Sequence, residues 1–434
     1  MSIHRRKFLA TATGAAAGAA SVSAMNINSA HATPRAESNV TVEALRQAAE
    51  KPVLVKTKLT EPVIIESVEL LQKGKDHFCR VRSKDGAEGI SVDNGRMDVL
   101  HPIFTRMVAP HFIGKDARDL EDHLWSLYRA NDTYKFQGLA LWCPVAMVEF
   151  AILDLLGRRF NQPMTELLGG TVRDKMKFYV ASGRRDTTPE QEIVYLKGLI
   201  EKTGAHAVKY RVGGRMSRNE DAMPGRTDKL IPLSRKELGD KITILADANS
   251  SYDPPQAIEV GKMLEGIGSI HYEEPCPFDD FEATKKVTEA LQIPIALGEQ
   301  ESSHWRYQSM IQHHVADVVQ PDLYYYGGMI RSIRVARMSQ LCNLPIMLHL
   351  SGGFGFVYSV IHSGCVQNIS PWQEYKSGLE TYGKWFDPPL KATDSTINVP
   401  TGPGLGLADP KELLKGATVL KDDAAGKGAA KSEG

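Results

Sequence analysis

Three acidic motifs stand at even spacing in this chain: Asp247 in ILADAN, Glu273 in HYEEP and Glu299 in ALGEQ, with 26 residues from 247 to 273 and again from 273 to 299. One strand-helix unit has that length, so the carboxylates fall at equivalent ends of three successive parallel strands. In a closed ring of such strands, neighbours at one height converge on one point, where three ionised carboxylates repel each other. A hard divalent cation removes the conflict, and an all-oxygen donor set favours Mg²⁺ over zinc. The simpler alternative is that each acid only caps the helix that follows its strand.

The rest of the chain supplies the ring. From Lys175 onward strand and helix patterns alternate, with candidate strands at 177–180, 207–211, 242–247, 270–273, 295–299, 318–322, 346–349 and 372–375. Eight parallel strands with crossover helices predict a β/α barrel whose chemistry lies at the C-terminal strand ends. Before it, short strand patterns around 63–70, 78–82 and 88–92 precede a helical run from Leu139 that ends near Leu168-Gly169-Gly170, which predicts a separate α+β domain over 53–170. The barrel occupies 171–392, a Pro/Gly-rich segment over 393–420 returns to the first domain, and the tail 421–434 has nothing to bury.

A chain of 434 residues is long for one core, which agrees with two domains. The formal net charge is zero, so no basic field points to nucleic acid and no acidic block to a tail partner. Arg5-Arg6 before an Ala/Gly-rich apolar run, with small-x-small sites ending at Ala24 and Ala32, reads as an export signal over 1–32 of the twin-arginine type, which carries folded proteins to the periplasm. No later stretch reads as long and apolar enough to span a membrane. Cys79, Cys143, Cys276, Cys342 and Cys365 show no paired spacing, so neither a disulfide framework nor a zinc site is indicated, and Cys276 draws notice only because it follows Glu273-Glu274-Pro275.

The order of motifs along these strands is Lys209-x-Arg211, Asp247-x-Asn249, Glu273-Glu274-Pro275, Gly298-Glu299, Pro321-Asp322 and His349. Together with the helix motif Ala151-Ile-Leu-Asp-Leu-Leu-Gly157, it resembles the enolase superfamily, mandelate racemase subgroup, over roughly Pro62 to Pro410. The resemblance implies a modified (β/α)₇β TIM barrel under an N-terminal α+β capping domain, and Mg²⁺-assisted removal of the proton α to a carboxylate. It makes Asp247, Glu273 and Glu299 the metal ligands, with Asn249 on the same strand face in support. Lys209 and Arg211 flank the substrate. The subgroup's commoner second Lys is a base, and a guanidinium stays protonated, so Arg211 is given an electrostatic role. Asp322 orients His349, the base. Glu374 matches a position that hydrogen-bonds the substrate carboxylate, for which it must be protonated through a raised pKa, unless it is only a solvent-facing loop residue. His271 is read as structural. The expected assembly is a homo-oligomer acting on a small-molecule sugar acid.

Two features bear on specificity. The long loop from Gly213 to Arg226 carries arginines that either grip a second carboxylate or stabilise the loop. The cap's usual specificity loop, near Gln72 to Asp76, is short. Racemisation needs a proton acceptor on each face of the α-carbon, and Arg211 removes one, so dehydration of an aldonate or aldarate to a 2-keto-3-deoxy acid is the favoured reading. A racemase, epimerase or cycloisomerase with Lys209 as second base follows it, and a non-catalytic sugar-acid binding protein is the third reading.

Overall fold

The structure is a computed structural model and describes residues 39–420. The expected export signal over 1–32 and the tail over 421–434 lie outside the described residues. A short helix, Val42–Glu50, opens the described chain and is N-capped by Thr41, whose hydroxyl accepts from Ala44 N.

The cap is an antiparallel meander of β1 (Ile65–Lys73), β2 (Asp76–Ser83) and β3 (Glu88–Val92), turned through Gly74 and Gly86 at positive φ. Behind it lies the 21-residue helix Leu139–Arg159, buried over most of its length. Gly89 on β3 lets the two approach, because a Cβ there would run into the helix backbone at Ala151 and Leu155. Buried Asp154 ties three segments together: it accepts from Ile90 N (3.0 Å) and Leu405 N (2.9 Å) and pairs with Arg158 (2.9 Å). This helix corrects the membrane reading, since it is long and apolar enough to cross a bilayer, but 89% of its most apolar stretch is buried inside the protein. It also ends earlier than the periodicity suggests, with Asn161 at positive φ and Pro163 separating it from the short helix Met164–Leu167.

The barrel strands are β4 (Lys175–Ala181), β5 (Ala207–Arg211), β6 (Thr243–Asp247), β7 (Tyr272–Glu273), β8 (Ile295–Leu297), β9 (Val318–Val319) and β10 (Trp372–Tyr375), all parallel, with β10 returning to pair with β4. Side chains alternate between two cores. Tyr179, Ala207, Leu245, Ala296, Val318 and Met347 fill the barrel interior, and the larger apolar core lies between strands and helices.

The seventh strand expected over 346–349 is not regular. Ile346 bridges Val319 on one side and Ile369 on the other, and His349 bridges Asp322. Toward β10, backbone donors on this segment go to side chains: Leu348 N to Gln373 Oε1 and Leu350 N to Glu374 Oε2, both at 2.9 Å. The barrel seam is thus closed partly by side chains standing in for a backbone ladder.

After β10 the chain does not leave the barrel at once, as the segment boundary at 393 would suggest: β11 (Thr396–Asn398) pairs antiparallel with β4. The returning segment then meets the long helix of the cap domain at Leu405, and β12 (Thr418–Val419) joins the cap sheet on the outer edge of β1.

Candidate active site

Register builds the site. Arg211, Asp247 and Glu273 are direct neighbours across β5, β6 and β7, so their side chains leave the ring at one height. Glu299 follows β8 after Gly298, whose φ of 132° turns the chain at the strand end. Ligand oxygens of Asp247, Glu273 and Glu299 all lie within 4.8 Å of one another, and all three residues are buried. None of them caps a helix: the following helices are capped by Asp253, Asp280 and Ser303, which removes the simpler alternative. Glu273 Oε1 and Glu299 Oε2 are buried without a hydrogen-bond partner. A compact, all-oxygen, underbonded donor set of this kind fits a hard divalent cation.

Cations hold the cluster together. Lys209, fully buried, reaches Glu273 Oε2 at 2.7 Å, Glu374 Oε1 at 3.3 Å and Asp247 Oδ2 at 3.8 Å. Burial alone would lower the Lys209 pKa, but Glu273 and Glu374 outweigh it and raise it, so the ammonium keeps its proton. Arg211 is ion-paired to Asp247. Glu273 also takes hydrogen bonds from Gln320 Nε2 and pairs with His271 Nε2, each at 3.1 Å. Burial would raise its pKa, and Lys209 and His271 hold it well below the usual range.

Asn249 meets Asp247 through its backbone N (2.7 Å to Oδ1) and its Nδ2 (3.3 Å to Oδ2). The expected reason, a shared strand face, is not the one found. With Asn249 and Ser250 at positive φ, β6 has ended and a turn delivers the contact.

Across the ring, His349 Nδ1 lies 2.8 Å from Asp322 Oδ2, which leaves Nε2 toward the cluster, 3.5 Å from Glu299 Oε2. Burial disfavours the imidazolium, but Glu299 and then Asp322 outweigh it against Lys376, and the pKa is raised. Asp322 is itself fixed: its Oδ1 accepts from Tyr324 N, Tyr325 N and Ser351 Oγ at 2.8, 2.9 and 3.0 Å.

Glu374 departs from expectation in charge. It is fully buried, which excludes the solvent-facing reading. Burial would raise its pKa as the sequence reading requires, yet Lys209 and Lys376 pull it down to about 2, so it is an ionised acceptor. The loop arginine Arg226 is a brace, donating to Thr187 O and Arg211 O at 2.8 Å each. Cys276 is buried, and burial pushes its thiol up to about 12, which makes it inert.

Several residues at the site carry no sequence assignment. Gln320 shares the inward face of Asp322 by the period of two, a signal that was available. Glu274 is buried beside the cluster, and burial together with Glu299 raises its pKa well above the usual range, which keeps it neutral. The cap reaches the surroundings of the His349–Asp322 pair through 94–96, while the 72–76 turn closes on itself by a Gln72 Nε2 to Gly74 O bond. Asn94 Nδ2 donates to Ser351 Oγ at 3.0 Å, and Arg96 bonds Tyr325 Oη at 3.2 Å, with the Tyr325 ring 6.0 Å from that of His349.

Comparison with known proteins agrees with this geometry. Residues 51–169 match the family model for the mandelate racemase / muconate lactonizing enzyme N-terminal domain, and residues 194–411 match that for the enolase C-terminal domain-like family. The arabinonate dehydratase of Saccharolobus solfataricus is 26% identical over 75% of this chain and 86% of its own length. The L-talarate/galactarate dehydratase of Salmonella typhimurium is 25% identical over 76% of this chain and 79% of its own. A solved structure of a candidate racemase from Roseobacter denitrificans is 34% identical, with a TM-score of 0.75 over 82% of this chain and 99% of that one. The chain is an enzyme of the enolase superfamily and belongs to its mandelate racemase subgroup.

Proposed function

We propose that this enzyme is a Mg²⁺-dependent dehydratase of a sugar acid, removing the α-proton and the β-hydroxyl of an aldonate or aldarate to give a 2-keto-3-deoxy acid. The observation that carries the reading is a single usable base. Among the described residues of the ring, His349 alone turns an imidazole nitrogen without a hydrogen bond toward the cluster, 3.5 Å from Glu299 Oε2, whereas Lys209 is pinned as an ammonium by Glu273 and Glu374, and Arg211 is a guanidinium paired to Asp247. One base suffices for elimination, and two are needed for inversion.

Asp247, Glu273 and Glu299 would hold the ion, and when bound it supplies positive charge beside the carboxylate on which a second negative charge develops. Lys209 Nζ adds a fixed positive charge at the same place. His349 Nε2 takes the α-proton while Asp322 stabilises the imidazolium through Nδ1. The same Nε2–H then protonates the departing β-hydroxyl as its C–O bond breaks, releasing water and leaving an enol that becomes the 2-keto acid. Glu374, ionised, orients Lys209 and holds the His349 segment through Leu350 N, a positioning role in place of the donor role expected from sequence. Two curated relatives named as sugar-acid dehydratases support the reading.

A racemase or epimerase reading is kept by one observation, the 34% identity to the Roseobacter denitrificans candidate racemase. The test is a panel of aldonic and aldaric acids with Mg²⁺ in D₂O, scored for 2-keto acid and for the stereochemistry of recovered substrate. Keto acid without inversion is expected. His349→Asn should abolish both elimination and α-proton exchange, a loss of about 10²–10⁴ or more. Inverted substrate from the unmodified enzyme would promote the racemase reading, and binding without turnover of any acid would leave a sugar-acid receptor. The proposal includes export to the periplasm on the strength of Arg5-Arg6.

A further inference from the structure

The mouth of the ring carries a positive charge that the metal cluster and the acid-base pair do not use. Arg185 stands four residues beyond Ala181, the end of β4. Its Nη2 donates to Asn249 Oδ1 at 2.6 Å, and its Nε is buried without a hydrogen-bond partner. Burial, then Arg211, Arg215 and Arg226, depress its pKa to about 9, with Glu299 opposing. A half-buried guanidinium among like charges is costly unless an anion sits beside it.

Two of those neighbours are already committed. Arg226 braces the loop through Thr187 O and Arg211 O and faces Glu192 at 3.6 Å, while Arg211 is paired with Asp247. Donor capacity therefore remains with Arg185, with the buried Nε of Arg211 beside it, and with Arg215, which is exposed at the rim. Their position matters as much as their charge. Asn249, on which Arg185 leans, follows β6, and β6 lies four places around the ring from the His349 segment in either direction. A sugar acid with its α-carbon at His349 Nε2 and its chain laid across the mouth would bring its far end toward Arg185.

We propose that Arg185, assisted by Arg215, forms a second anion site that takes the far carboxylate of a sugar diacid, so that the enzyme prefers aldarates to aldonates. This rests on the sugar-acid reading of the site. A planar guanidinium fork matches a carboxylate bidentately, which favours that group over a phosphate at the same end.

The experiment is calorimetric binding to the Mg²⁺-loaded full chain carrying His349→Asn, which blocks turnover. The probes are galactarate against galactonate, glucarate against gluconate, and 6-phosphogluconate. Each diacid should bind about tenfold or more tightly than its monoacid, the scale of one charge-assisted hydrogen-bonded pair. Adding Arg185→Gln should cut that preference to about twofold or less, and Arg185→Lys should keep part of it. Equal binding of diacid and monoacid, or no binding of any diacid, overturns the proposal. So does an Arg185→Gln variant that loses affinity for Mg²⁺ and for both acids alike, since Arg185 would then only prop Asn249. Tighter binding of 6-phosphogluconate than of glucarate would replace the carboxylate by a phosphate and overturn the diacid preference. Failure of the dehydratase reading is seen separately, as absence of 2-keto acid from the unmodified enzyme, whatever the binding preference.

Discussion

Replacing Glu299 by glutamine separates a metal centre from a merely acidic cluster. Of the three carboxylates, Asp247 is paired with Arg211 and Glu273 with Lys209 at 2.7 Å, whereas the nearest cationic partner of Glu299 is the His349 imidazole at 3.5 Å. Two unit charges at the 4.8 Å limit of this cluster repel by about 3.5 kcal/mol at an effective dielectric constant of 20. Glu299 meets that repulsion from two neighbours, each largely neutralised by its own cation, so at a pH high enough to leave the His349 imidazole uncharged the net strain is about 1–3 kcal/mol. The amide keeps the volume and removes the charge. In EDTA the variant should therefore melt about 1–4 °C above the unmodified protein, given how little each kcal/mol moves the midpoint of a chain this long. Mg²⁺ at about one hundred times its dissociation constant should add about 2.7 kcal/mol to the unmodified protein and far less to the variant. The rank order of the two melting temperatures should thus reverse between EDTA and MgCl₂, and turnover should be lost in the variant throughout. Scanning calorimetry in the two buffers reads this directly. A variant that is the less stable form in EDTA, or that keeps the full Mg²⁺ gain, would refute the reasoning.

Three further outcomes follow from other parts of the molecule. Ser351→Ala removes one of the three donors to Asp322 Oδ1 and should lower kcat about fivefold, the equivalent of one hydrogen bond, with KM little changed in steady-state assays. Glu374 has its pKa held at about 2 in the fold against an ordinary 4.5, so its contribution to stability is present above pH 4.5 and is lost as pH falls toward 2. Denaturant unfolding at pH 5 and pH 3 should show a shallower acid loss in Glu374→Gln than in the parent. Changing Arg5 and Arg6 together to Lys should leave uncleaved precursor in the cytoplasm, read by fractionation and mass, while normal export of the double variant would remove the twin-arginine assignment.

The acidic cluster is legible in the sequence because it obeys two periods at once: one strand-helix unit between the acids, and two residues between inward side chains. Those rules bring Lys209, Arg211, Asp247 and Glu273 together in the structure, and the same alternation covers Gln320. They stop where strands stop. Asn249 reaches Asp247 from a left-handed turn, Arg185 reaches Asn249 from a loop, and Asn94 reaches Ser351 from the far domain, and no periodicity governs such approaches. The charge of Glu374 was equally hidden, since burial favours one protonation state and two lysines favour the other, and only distances decide between them. Toward β10 the seventh strand lacks a ladder for a related reason: its partners there are the amide of Gln373 and the carboxylate of Glu374, which an apolar pattern does not encode.

That seam has a consequence for how such an enzyme can change. Because Glu374 both anchors the Leu350 backbone and faces Lys209, a substitution that altered the charge beside Lys209 would in the same stroke loosen the segment that carries His349. The two sides of the ring are mechanically coupled through one side chain. Residues at the rim, such as Arg96 and Arg215, are exposed and bear no part of the seam. Substitutions there can change what the mouth of the ring contacts without disturbing the segment that carries His349.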